Sequence, residues 1–254
     1  EIAQCLVGSE MCIRDSQKYG EQVNVLTVLS YHKLQDVNKL KETLETLQKE
    51  NPAAVSRVPD VIPAWLGLQA YGMKDLETAD KYMTWATQND QLQNVKKVIW
   101  RNLAKVRLAL KKYDRALVAS NNFLKVEDQP YRRADGMLDK AYILLGLGKY
   151  AEARKTAEEA LALGVEGPLM ASLKIVLGDI SYAEKKFDEA AKHYGVTAEL
   201  FVNDAELKPK ALFKAAEALD KAGRKSEASQ YRARLQKEFP DWKQEGESLP
   251  PDAR

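Results

Sequence analysis

The chain has 254 residues, 45% hydrophobic and 30% charged, with 39 Lys and Arg against 37 Asp and Glu for a formal net charge of +2. That apolar share supports a continuous core, and 13 Gly with 9 Pro leave little room for long disorder. The near-balanced charge lacks the basic footprint of a nucleic-acid binder, and no run approaches the roughly 18 apolar residues of a membrane-spanning helix.

The chain opens with Glu rather than Met, as expected of a fragment or a processed form. The stretch CLVGSEMCIRDS, Cys5 to Ser16, resembles a translated sequencing-adapter read, so residues 1–16 are expected to be a non-native scar and are set apart from the fold. Both cysteines, Cys5 and Cys12, lie in it. The remainder then has no disulfide framework, no thiolate metal site and no catalytic thiol. Residues 1–16 carry Glu1, Glu10, Asp15 and Arg14, a net of −2, leaving +4 for the rest.

Beyond Ser16 the pattern is periodic. Ala79, Ala116, Ala153, Ala190 and Ala228 recur at steps of 37, 37, 37 and 38 residues, four of them three residues after Leu76, Tyr113, Tyr150 or Phe187. Lys225 stands at that place in the last repeat. A period of this size is the signature of stacked supersecondary units. An earlier unit is carried by Tyr31, Val37, Leu40, Leu44, Leu47 and Pro52, with Leu40 standing 39 residues before Ala79.

Each unit reads as two amphipathic helices around a short turn. In the third repeat, Trp100, Leu103, Ala104 and Leu108 recur at helical spacing, and Lys111-Lys112 close the first helix. Tyr113-Asp114 then opens a second helix with Ala116, Leu117, Phe123 and Leu124 on one side. In the fourth, Ala141, Leu144 and Leu145 precede Gly148, placed where a left-handed residue ends a helix without steric cost. Tyr150, Ala153, Ala157 and Ala160 follow. Pro52, Pro130, Pro168 and Pro209 fall between repeats, where a helix's first turn tolerates a missing N–H. Phe239-Pro240 closes the last unit, and the tail 242–254 has no apolar face after Trp242.

These residues resemble the tetratricopeptide repeat, whose consensus runs W-x2-L-G-x2-Y, then Ala, then A-x3-F and a closing Pro. Trp100, Leu103, Ala104, Tyr113, Ala116 and Phe123 carry it in one repeat; Pro168, Leu177, Gly178, Phe187, Ala190 and Tyr194 carry it in another. The resemblance implies an all-α, right-handed solenoid of about six helix pairs over residues 17–241. The family period is 34, so about three extra residues per unit are expected to extend the second helix or its loop. Lys140 and Lys225 also stand where the family favours apolar residues.

No phosphate loop, dinucleotide fingerprint, HExxH or metal-ligand spacing is present. His32 and His193 lie in different repeats and read as surface or partly packed histidines, and Glu158-Glu159 as solvated helix surface. No enzymatic activity, cofactor or metal is therefore expected. The densest charge is the basic run Lys96-Lys97, Arg101, Lys105, Arg107, Lys111-Lys112. In folds of this kind first helices line a concave groove. Candidate groove residues are then Leu68 and Tyr71, Arg101 and Lys105, Asp139 and Tyr142, and Asp179 and Tyr182. Arg101 and Lys105 are placed for a carboxylate or an acidic peptide. The competing reading pairs these cations with Asp135, Asp139 and Asp179 on adjacent helices.

Some members of the family hold a peptide's C-terminal carboxylate in a Lys/Asn clamp. Lys105, Tyr142 and Asp179 stand where its asparagines would be. Only one unit is basic, which argues against a base-per-repeat nucleic-acid reader. Trp65, Trp85 and Trp100 fall at core spacings, and Trp242 is placed to cover the open end of the last pair. The expected function is a non-catalytic scaffold for a protein or an extended peptide, with no nucleic acid and no membrane span. The alternative is an architectural segment of a longer protein whose activity lies upstream. The loosely kept repeats resemble both cytoplasmic adaptors and envelope-associated bacterial proteins.

Overall fold

The computed structural model describes residues 24–88, 93–200 and 204–243; the expectations for residues 1–16 and for the tail beyond Lys243 lie outside them. Every regular element among the described residues is an α-helix. The chain divides between Ile99 and Trp100 into two compact units. The first contains α1 (24–33), α2 (Val37–Glu50), the short α3 (Pro52–Val55), α4 (Val61–Gly72) and α5 (Leu76–Ala86). The division falls within α6 (Gln93–Ala109). The second unit continues through α7 (Tyr113–Val126), α8 (Pro130–Gly146), α9 (Tyr150–Ala162), α10 (Gly167–Ala183), α11 (Phe187–Leu200), α12 (Leu207–Lys221) and α13 (Lys225–Glu238).

Six hairpins follow the repeat: α1/α2, α4/α5, α6/α7, α8/α9, α10/α11 and α12/α13. The five phased alanines are each 0% exposed, so the period marks the places where a helix comes closest to its neighbours. The first helices α6, α8 and α10 have 17 residues each, against 14, 13 and 14 for α7, α9 and α11. The longer element is thus the first helix, where the extra residues were expected in the second helix or its loop.

The turn inside each hairpin is the same device six times. Gln35, Lys74, Lys111, Gly148, Lys185 and Gly223 adopt φ of 56°, 63°, 57°, 71°, 63° and 79°. At each, the following N–H bonds back to the carbonyl five residues earlier, as Lys112 does to Arg107 at 2.8 Å and Lys149 to Leu144 at 2.9 Å. The left-handed residue's own N–H reaches the carbonyl three residues back, as Lys111 does to Leu108 at 3.0 Å. This is the Schellman arrangement, which satisfies two orphan carbonyls. Only two of the six positions are glycine, so hairpin packing holds four ordinary side chains in a conformation that disfavours them.

The residue after each left-handed one caps the second helix. Asp36 and Asp75 do so with their carboxylates, accepting from Lys39 N at 3.0 Å and Thr78 N at 3.2 Å. Lys149 occupies the same place on α9 and makes no side-chain cap. Its ion pair with Glu152, at 3.8 Å, joins two side chains 47% and 65% exposed and contributes little. Lys149→Asp is expected to stabilise the second unit by about 1 kcal/mol, because it supplies the missing acceptor and puts a negative charge at the helix N-terminus. A rise in the urea midpoint checks it; an unchanged midpoint refutes it.

Each unit has its own core. In the first, Leu40, Leu44 and Leu47 of α2 pack with Ile62 and Leu66 of α4 and with Tyr82 and Trp85 of α5. In the second, Leu144, Ala157, Leu173 and Val176 form one cluster, and Ile175, Tyr194, Ala215 and Leu219 another. Full burial of each such large side chain is worth roughly 1.5–3 kcal/mol. Ion pairs between successive hairpins add register: Lys41 to Asp75 at 3.2 Å and Lys81 to Glu45 at 3.3 Å in the first unit. In the second, Arg154 bridges Glu184 at 2.7 Å and Glu189 at 2.8 Å, and Arg224 reaches Asp188 at 2.9 Å. The Trp242 ring lies 5.6 Å from that of Phe213 on α12, at the end of the last hairpin.

Candidate functional site

In the second unit α10 lies against both α8 and α12, so equivalent faces of successive first helices run side by side. Along α10 the apolar residues Ile175, Val176 and Ile180 turn into the core, and Asp179 and Tyr182 stand on the partly open face. Asp179 is its hub. One carboxylate oxygen, Oδ1, accepts the Tyr194 hydroxyl at 2.6 Å and the Lys214 ammonium at 2.8 Å. The same ammonium sits 5.8 Å above the Tyr194 ring, a geometry in which ring and carboxylate both favour the cation.

Two further tyrosines flank this hub. Burial, with the charges of Asp179 and Asp139, holds the Tyr142 phenol well above its ordinary value. Burial and Glu217 raise that of Tyr182, with Lys214 opposing. Both therefore remain protonated hydrogen-bond donors. Neither hydroxyl is bonded to protein among the described residues. The Tyr182 ring is held edge-on to Phe187 at 5.2 Å.

The remaining expected groove residues are distributed differently. Tyr71 is half-buried on α4 of the first unit. Arg101 on α6 is paired with Asp135 on α8. Lys105 and Asp139 are only 4% and 3% exposed. The cations read as placed for an acidic ligand are thus turned inside the protein: helices stacked a repeat apart bring Arg101 to Asp135, and Lys105 is buried. His193 is half-buried, with Nε2 3.8 Å from Glu189. Its burial lowers its pKa, with Glu189 opposing that shift and Arg154 and Lys174 adding to it. His32 packs edge-on against Trp65 at 5.2 Å.

Toward the N-terminal ends of α8 and α10 the same surface sinks into a cleft of about 260 Å³. Its polar lining is Tyr131, Asp135, Asp139, Ser172, Asp204 and Glu206, over a floor of Leu138, Leu169 and Leu207. No Lys, Arg or His among the described residues lines it. Asp204 shapes one wall by accepting from Glu206 N at 2.9 Å and Leu207 N at 2.7 Å. Ser172 is only 9% exposed, and its hydroxyl has no hydrogen-bond partner among the described residues.

Residues 138–201, which span α8 to α11, match the tetratricopeptide repeat family model. The fold is the tetratricopeptide repeat fold. A tetratricopeptide repeat protein from Parabacteroides merdae ATCC 43184 superposes with a TM-score of 0.59 at 14% identity, covering 86% of this chain and 79% of that one. Pseudomonas aeruginosa pilF superposes with a TM-score of 0.53 at 17% identity, over 89% and 95% of the two chains. A Rap protein solved in complex with Competence and Sporulation Factor gives 0.60 at 15% identity, over 80% of this chain and 60% of that one. No curated protein matches the chain. Such repeats are an interaction-scaffold architecture, and no described helix is long and apolar enough to cross a membrane.

Sequence reasoning placed Tyr142, Asp179 and Tyr182 on one surface and missed Lys214, Tyr194, Ser172 and the wall at residues 204–206. The signal for the ion pairs was present. Arg101 to Asp135 is 34 residues and Asp179 to Lys214 is 35, a repeat less about one turn, with opposite charge. Nothing in the local sequence marks Ser172, because its position depends on how α8 and the segment before α12 meet α10.

Proposed function

We propose that the chain is an interaction scaffold that holds an extended peptide across the first-helix face of its second unit, on α8, α10 and α12. The observation that carries this reading is the pair of protonated tyrosine hydroxyls, Tyr142 and Tyr182, near Asp179, with no hydrogen-bond partner among the described residues. Donors placed along a ridge of stacked helices suit the carbonyls of an extended chain. The Rap protein of the same fold was solved with a bound factor, which supports the reading by analogy.

A library of random twelve-residue peptides panned on the protein tests it. Selected peptides are expected to lose at least about fivefold in affinity on the Tyr142→Phe/Tyr182→Phe variant, as two hydrogen bonds of about 0.5–1.5 kcal/mol each imply. Phenylalanine keeps the ring packing, so helicity stays unchanged. Selection of no peptide, or of peptides indifferent to both hydroxyls, refutes the reading.

A further inference from the structure

Resting on that reading, we infer that the extended peptide on the first-helix face is a segment of the same chain, residues 244–254, with Leu249-Pro250-Pro251 seated at Tyr142 and Tyr182. The path of the chain out of the last hairpin carries this. α13 ends at Glu238, whose carboxylate holds the Lys208 ammonium of α12 at 2.5 Å, and Phe239 packs against Ala198, Ala211 and Leu212. A turn follows, closed by the Trp242 N–H on the Phe239 carbonyl at 3.1 Å, and it brings the Trp242 ring onto Phe213 of α12. Phe213 belongs to the partly open side of α12. It stands one turn before Glu217, the residue whose charge acts on Tyr182 across the contact of α10 with α12. The chain is thus already laid on this face when it reaches Lys243, and the sequence QEGESLPPDAR comes next.

The chemistry of segment and face is complementary. Consecutive prolines favour the extended polyproline II backbone, have no N–H to donate and leave their carbonyls without an internal partner. Tyr142 and Tyr182 offer hydroxyl donors that stay protonated and have no hydrogen-bond partner among the described residues. Aromatic-lined surfaces with such donors are the usual seat of polyproline segments, whose preset backbone lowers the entropy lost on docking.

The reach is sufficient. With the 38-residue step between the last two units, Tyr182 corresponds to Asp220, seven residues past Phe213 on α12. From Phe213, Tyr182 is therefore one helix spacing of roughly 8–10 Å across and about two turns, roughly 10 Å, along. Tyr142 lies one helix further, on α8. Pro250 stands eight residues after Trp242, a reach of up to roughly 26 Å.

The test pans the twelve-residue library on the unchanged chain and on its Leu249→Gly/Pro250→Gly/Pro251→Gly variant. Peptides selected on the variant are expected to bind the unchanged chain at least about tenfold more weakly. A tethered competitor at about millimolar effective concentration, with an intrinsic Kd of about 0.1 mM, implies that ratio. It is expected to be the same at every protein concentration, because the competitor is in the same chain. Adding Tyr142→Phe/Tyr182→Phe to the variant is expected to weaken these peptides at least about fivefold. Peptides that need the two hydroxyls but bind both chains equally overturn the self-docking and leave the groove standing. A ratio that grows with protein concentration assigns the segment to a second copy and likewise overturns it. Peptides weakened by the segment but indifferent to the hydroxyls overturn the tyrosine face as its seat. If neither chain selects a peptide, both readings fall together.

Discussion

Gly178→Val is expected to destabilise the second unit by about 3 kcal/mol or more, at the upper end of what overpacking a core costs. A Cβ on Gly178 would lie 2.7 Å from Cδ1 and 2.8 Å from Cζ of the Tyr194 ring. The ring has nowhere to go: Tyr194 is 2% exposed, and its hydroxyl is fixed to Asp179 at 2.6 Å. Relief by rotation would break that bond and disturb the Lys214 pair beside it. The repeat itself shows that the fit is set pairwise. Gly67 meets Met83 as Gly178 meets Tyr194, a glycine against a large side chain sixteen residues on. The corresponding pairs Ala104/Ser120 and Ala141/Ala157 are small on both sides, and all four residues are buried. Tyr194→Ala, though destabilising alone, is therefore expected to cost less in the Gly178→Val background. A double-mutant cycle in urea should return a coupling of about 0.5–3 kcal/mol, and strict additivity would refute the clash.

That pairing also shows which parts of the molecule could be read from the chain. The period was legible because close approach of helices demands a small residue at one place per unit, and Ala79, Ala116, Ala153, Ala190 and Ala228 supply it with no exposure at all. Turn geometry carries a local mark only where the left-handed residue is glycine, at Gly148, which the chain reading used, and at Gly223, which it did not. At Gln35, Lys74, Lys111 and Lys185 the same left-handed conformation is imposed by the two backbone hydrogen bonds of the turn and by hairpin packing, against local preference. A residue type that dislikes its conformation leaves no local mark. For the proposed site, the helical step put Asp179 and Tyr182 on the partly open face of α10, because phase along a helix is a local property. Charge display is not. Whether Arg101 greets a ligand or a neighbour depends on what the next helix places opposite it, and Asp135 stands there.

The same dependence makes Asp179 the residue whose loss should be felt most at the site. Asp179→Ala is expected to cost about 2–3 kcal/mol, somewhat below the 3–5 kcal/mol of breaking a fully buried pair. Asp179 and Lys214 side chains keep 14% and 25% of their exposure, so the orphaned ammonium recovers part of its hydration. The Tyr194 hydroxyl cannot do so, since its ring is held in the core against α10. Replacing both charges, as Asp179→Leu/Lys214→Met, is expected to restore stability to within about 1 kcal/mol of the starting protein, because apolar side chains of similar size remove the desolvation cost together with the attraction. Urea midpoints of the single and double variants decide the matter. If Asp179→Ala is silent, the carboxylate is an exposed ligand for partners rather than a strut between α10, α11 and α12. If it behaves as expected, loss of binding in that variant reports a loosened fold, and the hydroxyls of Tyr142 and Tyr182 are the groups through which the face is to be probed.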